Sequence, residues 1–254
     1  MSTSILKNLN VAKEAAGEED RLGGFQVFDS KVYAAKIKMA YLRQAAAPSK
    51  SMGLTLIFDL EGKEYTQTIY ITNKTTGDTF TIDADGKKKN MQGYNLANAL
   101  AMVACGKPLN QLDDEERLQK IRNYKEKKDE NIKVQVIVDL LEKEVNVGII
   151  KQEVNKQTKV GDSYVDTADT REENEISKFF CAKKKFLNMT ASEMVAAKDD
   201  DTVTAEFFIK WNTQNEGKVI NRVKAVAGGG KSGAPKTGGV AKPEVAEDLF
   251  GDDD

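Results

Sequence analysis

From Leu54 to Leu60 every second residue is apolar, and after Glu61-Gly62-Lys63 a looser alternation resumes, a pattern that admits a β-hairpin and little else. Leu54, Leu56, Phe58 and Leu60 share one face of a strand, the glycine supplies a tight turn, and Glu64 to Thr72 is expected to return antiparallel. On the returning strand Tyr65, Ile69 and Ile71 fall on one face and Thr66, Thr68 and Tyr70 on the other. Lys31 to Arg43 follows the same rule: Tyr33, Ile37, Met39 and Tyr41 oppose Lys36 and Lys38, which predicts a half-exposed strand with a basic outer surface. Ala45 to Lys50 is the loop between them. Strands joined by tight turns predict a barrel or a sandwich.

Ahead of these strands, residues 1–24 form an N-terminal segment, with a short helix expected around Ile5 to Ala16 and Gly23-Gly24 opening the strand-rich region. After the turn at Asn73 to Gly77, Thr79 to Ile82 reads as a short strand leading into Asp85-Gly86-Lys87-Lys88-Lys89-Asn90, the densest basic cluster of the first half. Asn95 is expected to N-cap a helix in which Leu96, Leu100 and Val103 recur at helical spacing, and Gly106-Lys107-Pro108 stops it. Asp113 to Lys128, with acids early and lysines late, is expected to be mostly helical.

Ile132 to Leu141 alternates, and Val145 to Val154 follows Glu142-Lys143-Glu144, which predicts a second hairpin. Asn155 to Asn174 is polar and reads as a loop. Ile176 to Leu187 carries Phe179-Phe180 and Lys183-Lys184-Lys185, and Thr190-Ala-Ser-Glu193 matches a capping box before a short helix with Met194 and Val195. Val203 to Trp211 is expected as a strand with Phe207, Ile209 and Trp211 on one side and Lys210 on the other. Val219 to Val226 pairs with it or extends the sheet. There is no internal repeat of solenoid length.

The last stretch changes character. Residues 228–243 are rich in glycine, with serine and proline, and predict a flexible linker; residues 244–254 hold six carboxylates, no cation, and the apolar pair Leu249-Phe250. An exposed aromatic serves no solubilising purpose, so Glu247, Asp248, Leu249, Phe250, Asp252, Asp253 and Asp254 read as a peptide that docks on a basic, apolar pocket of a partner. Without the linker and tip the body is close to neutral, so an anion-binding surface must come from local lysine clusters.

The absence of histidine and the separation of Cys105 from Cys181 argue against zinc sites and histidine-based catalysis, and the cysteines read as small apolar residues. Gly230-Lys231-Ser232 resembles the end of a phosphate loop, but Ala225 stands where that motif needs glycine and no helix can follow. Asp114 with Glu126-Lys127-Lys128 lies in a generally charged stretch and reads as a solvated helix face. With no signal-peptide core and no apolar run of membrane-spanning length, the expectation is a soluble cytoplasmic protein that needs no cofactor or metal and does not engage a membrane.

What remains is distributed: Lys36, Lys38, Tyr41, Arg43, Lys50, Tyr65, Tyr70, Lys74, Lys87, Lys88, Lys89, Tyr94, Lys210 and Trp211. Each alone is an ordinary core aromatic or surface cation. Together, lysines that track phosphates and aromatics that stack on bases are what a single-strand groove requires.

Glu247-Asp-Leu-Phe-Gly-Asp-Asp-Asp254 on its linker resembles the partner-recruiting tail of prokaryotic and phage single-stranded DNA-binding proteins, although the common bacterial tail ends in proline and phenylalanine. Ile69-Tyr-Ile-Thr-Asn-Lys74, Asp85-Gly-Lys-Lys-Lys89 and Gly93-Tyr-Asn-Leu-Ala-Asn-Ala-Leu100 are similar to the single-stranded DNA-binding proteins of short-tailed phages. The resemblance implies a mainly β chain with a few helices, an OB-fold-like antiparallel barrel with elaborations over residues 25–227, a linker over 228–243 and a disordered acidic tail over 244–254. It also implies a host-cell location and a non-enzymatic role coating single-stranded DNA in phage replication and recombination. In some relatives the role extends to transcription, and the tail recruits proteins such as a polymerase. The anionic tail would fold back over the basic groove when DNA is absent. Two alternatives stay open: an adaptor that binds proteins without DNA, and a protein that anneals complementary strands.

Overall fold

The computed structural model describes residues 27–123, 128–161 and 163–226. The N-terminal helix, the Gly23-Gly24 junction, the linker and the acidic tail lie outside them. The expected hairpin is present. Strand β1 (Lys31–Gln44) pairs antiparallel with β2 (Met52–Leu60), which pairs antiparallel with β3 (Lys63–Tyr70). Leu54, Leu56, Phe58 and Leu60 are all buried, as their alternation requires, and Gly62 turns the chain at φ +86°.

A small hairpin, β4 (Phe80–Ile82) with β5 (Lys88–Asn90), leads into helix α1 (Gln92–Cys105). The helix starts earlier than Asn95. Met91 is its N-cap, and Gly93 in the first turn lies so close to β3 that a Cβ there would stand 2.1 Å from the Tyr70 carbonyl oxygen. At the other end Gly106 adopts the left-handed conformation, with its N–H donating to Met102 O, and stops the helix as expected.

Asp114 to Asn123 is a strand and not a helix. This β6 pairs along its whole length with β7 (Lys128–Ile137), and Lys133 Nζ donates to Glu116 Oε1 at 2.6 Å while Arg122 and Lys120 both pair with Asp129. The charge order that suits a helix dipole also suits cross-strand pairing, and long-range pairing prevails. The second hairpin is likewise not formed as expected. β7 and β8 (Glu144–Val160) do not pair with each other; both pair with β1, β8 over Lys31 to Lys36 and β7 at Tyr41 and Leu42.

The polar stretch from Asn155 is no loop. β8 continues to Val160 and turns into β9 (Ser163–Cys181), so that a two-stranded ribbon extends past the core. A ribbon with neither face covered needs no apolar period, which is why its sequence looks like a loop. The capping box is formed: Glu193 N donates to Thr190 Oγ1 and Thr190 N to Glu193 Oε2, opening α2 (Ala191–Ala196). The expected last strand is instead α3 (Glu206–Asn215), where Phe208, Trp211 and Asn215 share a helical face. A short strand, β10 (Val219–Asn221), extends the sheet parallel to β8.

The main core lies inside this curved assembly, with Ile37, Phe58, Leu100, Val147 and Phe179 fully buried and α1 covering the inner faces of β3 and β9. Among the described residues the fold is mainly β with three α-helices, in keeping with the expected β-rich chain with a few helices, but its eight-stranded sheet does not close. β9 is hydrogen-bonded to β8 and not to β3. Between β3 and β9 the bridge is a side chain: Ile176 N donates to Gln67 Oε1 at 2.8 Å. Among the described residues no helix is long and apolar enough to cross a membrane.

Candidate nucleic-acid interface

Alternation assigns one set of residues to the outer face of β1, β2 and β3. Two rows cross it. Tyr41 pairs with Thr55 and Thr55 with Thr68, whose hydroxyls are hydrogen-bonded at 2.9 Å; next to it, Arg43 pairs with Gly53 and Gly53 with Tyr70. Gly53 has a steric reason to be glycine: a Cβ would stand 2.7 Å from the Thr68 methyl. Thr66, Thr68 and Tyr70 are exposed, and Tyr70 at 57% is the most exposed aromatic of the three strands.

The loops at the Arg43–Tyr70 end are stitched together. Lys50 N donates to Lys74 O, Met52 N to Thr72 Oγ1, and Ser51 Oγ to Thr72 O. Asn73 Oδ1 accepts from Thr75 N and shapes the turn that presents Lys74. The β4–β5 hairpin leaves and returns at this same end, its turn built by Asp83 Oδ1, which accepts from the backbone of Asp85 and Lys87, and by Gly86 at φ +80°. Lys88 lies over the Phe80 ring at 4.5 Å.

Charge divides the expected residues into two sets. Lys36 is ion-paired with Glu142, which raises its pKa through hydrogen bonding, and Lys38 reaches Asp59 and Glu64 at 3.8 and 3.9 Å. By contrast Arg43, Lys50, Lys74, Lys87, Lys88 and Lys89 have no carboxylate within 4.0 Å among the described residues. These six cations come from β1, from the two loops tied together beyond its end and from the β4–β5 hairpin, on the side of the sheet where Tyr70 ends β3.

Four aromatics expected in the groove are placed elsewhere. Tyr41 is 6% exposed, packed with Val134 and Val136 under the β6–β7 ribbon. Tyr65 faces the core, edge-on to Phe28, and donates to Gln67 Oε1; burial pushes its phenol pKa up. Tyr94 is inside α1 and packs on the core near Leu42 and Ile71. Trp211 is 4% exposed, its ring against Gly148 and its indole N–H donating to Ser177 Oγ at 3.0 Å, while neighbouring Lys210 pairs with Glu206. The cause is common to all: a large ring with apolar neighbours within reach is more stable packed against them than exposed.

One feature the sequence did not disclose is the cleft between β3 and β9, of about 440 Å³, floored by Gly93 and Leu96 of α1. It exists because the sheet stays open, which no local pattern encodes. Comparison of the chain with protein-family models, curated proteins and solved structures gave no match.

Proposed function

We propose that this protein binds single-stranded DNA, with phosphates drawn to Arg43, Lys50, Lys74 and Lys87 to Lys89 and a base stacked on Tyr70. The observation that carries the reading is a set of cations with no carboxylate within 4.0 Å among the described residues, at the end of the sheet where the exposed Tyr70 stands. Elsewhere the strand lysines are largely spent on carboxylates, as Lys36, Lys38, Lys120, Lys133 and Lys151 illustrate. The resemblance to phage single-stranded DNA-binding proteins adds the setting: replication and recombination, transcription in some relatives, and recruitment of a polymerase or similar enzyme by residues 244–254.

The test is fluorescence anisotropy of labelled oligo-dT and of matching duplex at several salt concentrations. Tight, salt-sensitive binding to the single strand supports the reading, and Lys50→Glu with Lys74→Glu should weaken it and flatten the salt slope. Equal binding of duplex, or none, refutes it and leaves the adaptor. Because Trp211 is buried, its emission is not expected to report on DNA. Removing residues 243–254 should tighten binding if the tail competes with DNA; unchanged binding would dismiss that competition.

A further inference from the structure

The cleft between β3 and β9 has a mixed lining. Ile69, Leu96, Ala99 and Ile176 supply apolar walls, and between them stand the amides of Gln67, Gln92 and Asn95 and the hydroxyls of Thr68 and Ser177. A cleft of about 440 Å³ in which apolar side chains alternate with convergent polar groups is the size of a small-molecule site. Gln67 Oε1 is committed to Tyr65 and Ile176, whereas the side chains of Gln92 and Asn95 make no hydrogen bond to any described residue and keep both a donor and an acceptor to offer.

Those features fit a planar heteroaromatic ring with apolar faces and a hydrogen-bonding edge, which is what an unstacked nucleobase presents. Charge does not select the ligand, because Glu175 holds Arg222 at 3.2 Å and Lys178 of the lining lies over the Phe207 ring, so a neutral ring edge is what the free amides can recognise. Position matters as much as lining. Tyr70 belongs both to this cleft and to the Arg43–Gly53–Tyr70 row, so a strand lying along that row passes the mouth.

We infer that the cleft between β3 and β9 takes one unstacked nucleobase, with Gln92 and Asn95 on its hydrogen-bonding edge, and so gives strand binding a preference among bases. This rests on the outer-face reading when the base comes from a strand; a free nucleotide would bring the same chemistry by itself.

The full chain and a Gln92→Ala, Asn95→Ala double variant are titrated with the four DNA homopolymers where soluble as single strands, mixed sequences replacing oligo-dG, and with a fully abasic strand. Both substitutions fall on exposed positions of α1 and favour helix, and thermal denaturation checks that the fold is kept. The expected result is a preference on the order of tenfold for one base in the parent, the worth of one good amide–base pair. In the double variant it shrinks to within about twofold, while abasic affinity is unchanged. Equal affinities in the parent, or a preference that survives in the double variant, overturn the inference. If no strand binds at all, the outer-face reading fails, and saturation-transfer NMR with the four deoxynucleoside monophosphates decides the cleft. Signals lost in the double variant retain it as a nucleotide site, and no signal, or one that persists in the double variant, overturns it.

Discussion

One sheet in this protein has two outer faces with opposite fates. Over β8, β9 and the start of β1 the outward residues are Val32, Ile150 and Phe180, and α3 closes them with Phe208 and Trp211. Over β3 the outward residues Thr66, Thr68 and Tyr70 stay exposed, next to Gly53 and Thr55 of β2, which are buried among their neighbours. Threonines hydrogen-bond to one another and to water, so that face is stable uncovered, whereas an apolar face must be covered to be stable. The difference teaches where to look for a ligand: a strand face built to be stable while wet is free to exchange water for something else.

The contrast can be broken hardest on the covered side. Trp211→Ala removes the ring packed on Gly148 and the bond to Ser177, and should cost about 3–5 kcal/mol in denaturant unfolding, the range for a buried large-to-small change. A loss below about 1 kcal/mol would mean that α3 is not what closes this face. Next comes the junction of α1 with the open side. Gly93→Ala places a methyl on the Tyr70 carbonyl and should destabilise by about 1–3 kcal/mol through overpacking. If the variant unfolds at the parent's midpoint, the helix start is looser than this contact implies.

Thr190→Ala removes one half of the capping box of α2 and should cost about 1 kcal/mol by the same measurement. The smallest effect on stability is expected on the uncovered face. Tyr70→Ala should change unfolding by no more than about 0.5 kcal/mol, as for a surface site. Its effect should appear in anisotropy titrations, weakening single-strand binding by about 1–3 kcal/mol, the worth of one stacked base. A Tyr70 variant that loses stability but binds DNA normally would invert the assignment of the two faces.

Much of this fold is legible where a residue's neighbours in sequence are also its neighbours in space. The β2–β3 hairpin, the end of α1 at Gly106 and the capping box at Thr190 are set by local turn, cap and alternation chemistry, and each forms as its residues dictate. Asp114 to Asn123 misleads because Glu116, Lys120 and Arg122 meet partners on the neighbouring strand β7 and not on the next helical turn, and Val203 to Trp211 misleads because Phe207 and Phe208 in succession satisfy a helix as well as a strand. The candidate site divides in the same way. The basic residues of the loops are visible as a composition, but which lysines are neutralised depends on Glu142, Asp59 and Glu64 brought in by pairing.

By itself, then, the sequence determined the alternating strands, their caps and turns, and the places where cations are dense, because these rest on spacing and on local hydrogen bonds. Tertiary structure decided that Tyr41, Tyr65, Tyr94 and Trp211 serve packing, that Tyr70 faces solvent, and that the sheet stays open between β3 and β9. The physical reason is that burial is a property of what lies across a face and not of the face alone. Tyr41 and Tyr70 sit on the same outer side of one sheet, and only the ribbon that covers the first distinguishes them.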